Sequence, residues 1–182
     1  QTPLKLSKSL HEAGVPLWGT SWNDLGLAQN PARFRDVLEE LGLHQPESLT
    51  ATSREQAIHC AHSLGMPVLV RPSYVLGGRG MRVVYQIQDL EEWLENEALI
   101  SVEEPVLIDK FLEGAIEVDV DAIADGESVL VAAVMEHIEE AGVHSGDSTC
   151  VIPPFTLGEH TLRPVREATV RLAQQLQVRG LI

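Results

Sequence analysis

The sequence predicts an α+β fold built mainly on antiparallel sheet. Two hairpins with helical segments spread around them carry that expectation. In residues 67–85 the apolar run Val68–Val70 resumes at Met81–Tyr85, across Gly77, Gly78 and Gly80. In residues 117–135 Glu117, Asp119 and Asp121 alternate with Val118, Val120 and Ala122. The turn dipeptide Asp125-Gly126 and a return run from Ser128 to Met135 follow. No internal repeat or low-complexity segment competes with this reading.

Taken in order, residues 3–13 place Leu4, Leu6 and Leu10 at roughly helical spacing, with Thr2 as N-cap and Pro3 at the first helical position. Gly14 ends that helix, and Val15 to Gly19 are expected to form a short strand. Asn30 caps a second helix that opens on Pro31 and runs to Leu41, before Gly42. Residues 48–51 read as a strand. Ser53 caps a helix through about Leu64, with Glu55 and Gln56 in its first turn, and Gly65 ends it. After the first hairpin, Gln88 to about Leu99 is helical, with Leu90, Trp93 and Leu94 on one face. Pro105 to Asp109 is a strand, and the second hairpin follows. Cys150 to Ile152 is a short strand stopped by Pro153-Pro154, and Glu159 to Leu176 a long amphipathic helix. Leu181-Ile182 opens a last strand. Both ends read as interrupted, so a longer parent protein is expected.

A chain of 182 residues is long enough for one large domain, or one and a part. Its net charge is −14, and its 13 lysines and arginines form no run, which argues against nucleic acid as a partner. No stretch of 18 apolar residues offers a membrane span. No basic-then-apolar leader is visible at Gln1. Cys60 and Cys150 lie far apart, the pattern of reduced thiols in a cytoplasmic protein.

Arg71 closes the first strand of the 67–85 hairpin, and Pro72 keeps the backbone extended there. A fixed cation beside a loop with little Cβ bulk suits a polyanion such as a nucleotide triphosphate, because glycines let backbone N–H groups approach phosphate oxygens. No Gly-Lys-Ser/Thr follows, so the loop is no Walker A motif, and a strand rather than a helix follows, so it is no dinucleotide fingerprint. The plain alternative is a hairpin whose turn needs φ > 0. Asp109-Lys110-Phe111-Leu112 leaves a strand for Glu113-Gly114, where backbone groups spare from sheet pairing suit a purine edge and Asp109 an amino group. An ordinary exposed connector fits the same residues. Glu117, Asp119 and Asp121 share a face that suits ribose hydroxyls or water. The stretch 136–148 is dense in polar groups. Glu136, His137, Glu139, His144 and Asp147 raise the thought of a metal site, but the spacing matches no zinc signature. A loop beside a nucleotide, or a solvated turn, fits better. His59, His62 and His160 read as surface residues.

Together, Arg-Pro-Ser-Tyr-Val-Leu-Gly-Gly-Arg (71–79), Val-Asp-Val-Asp-Ala (118–122) and Glu-His-Ile-Glu-Glu-Ala-Gly-Val-His-Ser-Gly-Asp (136–147) resemble the ATP-grasp part of the carbamoyl-phosphate synthetase large subunit. The opening Gln-Thr-Pro-Leu-Lys-Leu and closing Gln-Val-Arg-Gly-Leu-Ile extend the resemblance over essentially the whole chain. The wording is closer to the second of that subunit's two ATP-grasp halves, which phosphorylates carbamate with MgATP, whereas the first activates bicarbonate. The resemblance implies residues 1–22 as the end of a pre-ATP-grasp domain and 23–182 as a truncated ATP-grasp domain with a lid at about 48–112. It also implies a cytoplasmic ligase of pyrimidine and arginine synthesis with a small glutaminase partner. By resemblance, Arg71 contacts the phosphates and loop 74–80, with Gly77 and Gly78, closes over them. Asp109, Lys110 and Leu112 hold the adenine edge, Glu117 the ribose, and Gly142, Val143, His144 and Ser145 line the pocket. The family's magnesium ligands are expected downstream of Ile182, so the 182 residues alone are expected to be inactive. Pro31 stands where the family carries a phosphate-touching arginine, and Arg33 lies roughly 200° further around the helix. Two rivals stay open. Another ATP-grasp ligase, such as a biotin carboxylase or a purine-pathway synthetase, would carry lysine at Arg71 and lack the 136–147 motif. A non-catalytic nucleotide-binding module is the other.

Overall fold

The computed structural model describes residues 2–72, 80–96, 100–101, 105–143 and 145–182, without the side chains of 2–5, 29, 31, 32 and 145. Every strand pairing in it is antiparallel. The chain folds into two compact units: Gln1–Gln45 with Val118–Ile138 and Cys150–Ile182, and Pro46–Glu117 with Glu139–Thr149.

The second of these units carries a four-stranded sheet of order β1-β4-β2-β3. Its strands are β1 (Ser48–Ala51), β2 (Val68–Pro72), β3 (Arg82–Val84) and β4 (Val106–Lys110). The register places Val68 beside Val84 and Lys110, and Val70 beside Ile108. Side chains alternate across a strand, so Val68, Val70, Val84, Val106 and Ile108 share one face, all fully buried. Helices α4 (Arg54–Leu64) and α5 (Ile87–Asn96) cover that face with Ala57, Ala61, Leu64, Leu90, Trp93 and Leu94. Each large apolar side chain so buried contributes about 1.5–3 kcal/mol relative to exposure. The expected caps form: Ser53 Oγ accepts from Gln56 N–H at 3.2 Å, and Gly65 ends α4 at φ 71°. Trp93, the largest buried side chain, donates its indole N–H to Gly80 O at 3.1 Å. The opposite face carries Leu69, Arg71, Val83, Leu107 and Asp109.

The other unit holds a sheet of order β7-β6-β5-β8. Its strands are β5 (Val118–Asp125), β6 (Val129–His137), β7 (Cys150–Val151) and β8 (Arg179–Leu181). The Asp125 carboxylate accepts from Glu127 N–H at 2.9 Å and Ser128 N–H at 2.7 Å, which shapes the turn between β5 and β6. Helices α1 (Thr2–Glu12), α2 (Trp22–Gln29), α3 (Pro31–Glu40) and α6 (Glu159–Gln175) complete this unit. Val37, Ala124, Ala173, Leu176 and Val178 form its core, with Leu27, Phe34, Leu41, Val129 and Leu172 packed against them.

Three expectations change. Residues 15–19 form no strand: Pro16 has no N–H to donate, and Gly19 turns the chain at φ 96°. Helix α2 was not foreseen, because its residues show no clear apolar periodicity. Its start is nevertheless a capping pattern, Ser21-Trp-Asn-Asp24, with Ser21 Oγ accepting from Asp24 N–H at 3.3 Å. Strand β6 runs to His137, two residues past the expected end, since Glu136 and His137 pair with Val151 and Cys150.

Candidate functional site

Strands β2 and β4 lie side by side with Leu69 opposite Asp109. Arg71 is two residues along from Leu69, so its side chain leaves the same face on the diagonal to Asp109. Arg71 Nε donates to Asp109 Oδ2 at 2.8 Å. The carboxylate side chain is 14% exposed and the arginine side chain 46%. So exposed a pair adds little stability. Its effect is geometric: one N–H is held by a nearly buried carboxylate while the arginine side chain stays partly open to solvent. Leu69, Val83 and Leu107 lie on the same face of the sheet. An apolar floor beside an anchored cation suits a ligand with a flat apolar part and an anionic tail.

Lys110 follows Asp109 but points the other way. Its register partner is Val68, on the helix-covered face. There its ammonium donates to Gly65 O at 2.8 Å and to Met66 O at 3.3 Å. Asp109 and Lys110, grouped by the sequence, therefore separate to opposite faces. Backbone pairing ends here: Lys110 N–H bonds Glu47 O at 2.8 Å and Phe111 N–H bonds Pro67 O at 3.3 Å. Leu112 lies beyond, with its side chain exposed, and its carbonyl accepts from Ala115 N–H at 3.4 Å.

The 139–149 segment joins these residues from a distance in sequence. Gly142 sits at φ 100°, and a Cβ there would stand 3.3 Å from both Phe111 Cε2 and Val83 Cγ2. Its backbone thus lies against the end of β4, over the same face as Asp109, so close that a side chain there would require Phe111 and Val83 to give way. Gly142 N–H points to Glu117 Oε1 at 3.4 Å. The loop base is closed by the Glu139 carboxylate, which accepts from Ser148 Oγ at 2.8 Å and Thr149 N–H at 2.5 Å. The Ser148 hydroxyl above all holds the Glu139 carboxyl below its ordinary range. Val143 is exposed, and Ser145 starts a 3-10 turn to Asp147. Arg71, Asp109, Glu117, Gly142 and Val143 thus belong to one compact unit. Gly77, Gly78 and His144 lie outside the described residues.

In the other unit Glu136 and His137, two of the residues weighed for a metal, have different partners. Glu136, buried in β6, accepts from Phe155 N–H and Thr156 N–H at 2.9 Å each and from Thr156 Oγ1 at 2.5 Å. The Thr156 hydroxyl, then its backbone neighbours, hold this carboxyl below the usual range. His137 Nε2 lies 3.0 Å from Asp119 Oδ2. Among the described residues, no three His, Cys, Asp or Glu side chains cluster where a metal ion would sit. Sequence reasoning missed the Glu136 anchor and the Asp119–His137 pair. The pair depends on the β5–β6 register and the anchor on a segment 19–20 residues away, for which the local pattern carries no signal.

A profile of the "Carbamoyl-phosphate synthase L chain, ATP binding domain" matches residues 31–181. All 182 residues are 54% identical to a "Carbamoyl phosphate synthase large chain, C-terminal section" from Aquifex aeolicus, covering 34% of that protein. They are 53% identical to a "Carbamoyl phosphate synthase large chain" from an Arthrobacter species, covering 17% of it. The chain thus spans about a third or less of the length of these relatives. Among solved structures, biotin carboxylase from Campylobacter jejuni in an ATP-analogue complex superposes at TM-score 0.77 with 20% identity, over 98% of this chain and 41% of that one. A carboxyaminoimidazole ribonucleotide synthase from Aspergillus clavatus complexed with ATP gives TM-score 0.77 at 18% identity, over 96% of this chain and 45% of that one. At such identities the likeness concerns the fold, which is ATP-grasp.

Proposed function

The chain belongs to the family of carbamoyl-phosphate synthase large-chain ATP-binding domains, and from that premise we propose that it is part of the second, carbamate-phosphorylating half. The observation that carries the reading is the end-to-end 54% match to a relative described as a C-terminal section. The face bearing Arg71 and Asp109 is chemically suited to the nucleotide that either half would bind.

In this reading ATP lies over the half-buried Leu69 and Val83, with its phosphates toward Arg71. Asp109 holds Arg71 Nε at 2.8 Å, so the cation is oriented before the nucleotide arrives and loses little freedom on binding. Backbone of 110–112 meets the base edge. Glu117, steadied by Gly142 N–H, takes ribose hydroxyls. Gly142, Val143, His144 and Ser145 close the pocket, with Gly77 and Gly78 approaching the phosphates. Phosphoryl transfer needs in-line placement and charge neutralisation more than covalent help from the protein, and an anchored arginine supplies both. Magnesium accompanies ATP to neutralise its phosphates. No cluster among the described residues fits it, and its protein ligands are proposed to follow Ile182 in the longer gene product.

The whole enzyme is proposed to be a cytoplasmic ligase supplying carbamoyl phosphate to pyrimidine and arginine synthesis, with ammonia from a small glutaminase subunit. These 182 residues alone would not complete the reaction, since the relatives that share it are about three times as long or longer. Carbamate phosphorylation is reversible in principle, so the gene product should form ATP from ADP and carbamoyl phosphate. We expect Arg71→Ala to abolish that ATP formation and to spare bicarbonate-dependent ADP release. The reverse pattern would move this segment to the bicarbonate-activating half.

A further inference from the structure

We propose that the Lys110 side chain selects the nucleotide base without touching it, in a positioning role that ties the end of β4 to the C-terminal end of α4. This rests on the nucleotide reading above.

Its ammonium donates to Gly65 O at 2.8 Å and Met66 O at 3.3 Å. Gly65 is the C-cap of α4, where helix carbonyls lack intrahelical donors and the helix dipole places negative potential. A lysine ammonium there is a charge-assisted tie, stronger than a neutral hydrogen bond. Gly65 stands at φ 71°, ψ 140°, a region almost closed to other residues. A Cβ at Gly65 would lie 3.8 Å from Lys110 Nζ.

The tie has a directional consequence. Lys110 faces the helices, opposite the face shared by Arg71 and Asp109, so its side chain is not offered to a base on that face. What residue 110 itself can offer there is main chain. Phe111 N–H is held by Pro67 O, beside the same Met66 that Lys110 grips. Among the described residues no partner occupies Leu112 N–H. The tie fixes the backbone of 110–112, and with it the direction of the groups that read a purine edge.

The test compares Lys110→Met and Lys110→Arg with wild type in the gene product carrying this chain. ATP, ITP and 7-deaza-ATP binding are measured by calorimetry, and backbone hydrogen exchange is followed without nucleotide. The expected result is that Lys110→Met weakens ATP binding roughly tenfold, the scale of one lost charge-assisted bond. ATP and 7-deaza-ATP should weaken alike, ATP-over-ITP preference should shrink, and exchange should quicken at 64–66 and 110–112. Lys110→Arg should recover most of this. Unchanged nucleotide selectivity with faster exchange would show a purely structural tie and overturn the proposal. A loss confined to ATP and absent with 7-deaza-ATP would show direct base contact and also overturn it. If wild type binds no ATP, the nucleotide reading falls, and this inference with it.

Discussion

Gly142 shows how one residue can hold a site closed. Its φ of 100° is unfavourable for any side chain, and a Cβ would press on Phe111 and Val83 at 3.3 Å. Gly114 separates the two effects, for it also has positive φ, 67°, but nothing stands within 4 Å of its would-be Cβ. Gly114→Ala should therefore cost about 1 kcal/mol from backbone conformation alone. Gly142→Ala should cost more and also lower ATP affinity, read by thermal unfolding and nucleotide titration together. Equal losses for the two would show that the loop does not depend on close contact with the end of β4. At this scale the sequence was partly legible. Arg71 and Asp109 stood out singly as a strand-end cation and a strand-end carboxylate. Their 2.8 Å pairing depends on the β2–β4 register, set across 38 residues, and no local pattern encodes it. Lys110 faces the helices while Asp109, its neighbour in sequence, faces the opposite side, and only the strand register reveals that separation.

Among elements, the amphipathic ones were readable and the irregular ones were not. Helix α5 announced itself through Leu90, Trp93 and Leu94, all now buried. Helix α2 and the 15–19 segment lack such periodicity, and their form follows from packing and from Ser21, Pro16 and Gly19. Strand β6 is fastened at its end by Glu136, which gathers Phe155 N–H, Thr156 N–H and the Thr156 hydroxyl. Folding lowers this carboxyl from its ordinary value of 4.5. The ionised form therefore stabilises the fold above about pH 4.5, and that contribution is lost as pH falls through the lowered folded value. Glu136→Gln should reduce the melting temperature at pH 7, with the gap to wild type narrowing below pH 4.5. A gap independent of pH would mean that the carboxylate charge contributes nothing to holding 155–156.

For the whole molecule, the chain leaves one compact unit at Glu117 and returns to it at Glu139. That return delivers Gly142 to the sheet that carries Arg71 and Asp109. A left-to-right reading of the sequence sees the 136–147 motif and the 67–85 hairpin as separate features, and only the resemblance to a family joined them. A net charge of −14 makes this 182-residue chain repel a nucleotide on average, so binding must rest on a few local cations. Among the described residues, Arg71 is the cation anchored on the candidate face. The most direct measurement is calorimetric titration of MgATP into the gene product, with Arg71→Ala and Arg71→Lys beside wild type. Wild type should bind, and Arg71→Ala should lose about tenfold or more in affinity, the scale of a charged hydrogen bond. Arg71→Lys should recover little, because a point charge lacks the Nε that Asp109 holds. Equal affinity for all three proteins would contradict the account and remove this face of the sheet as the place where the phosphates are held.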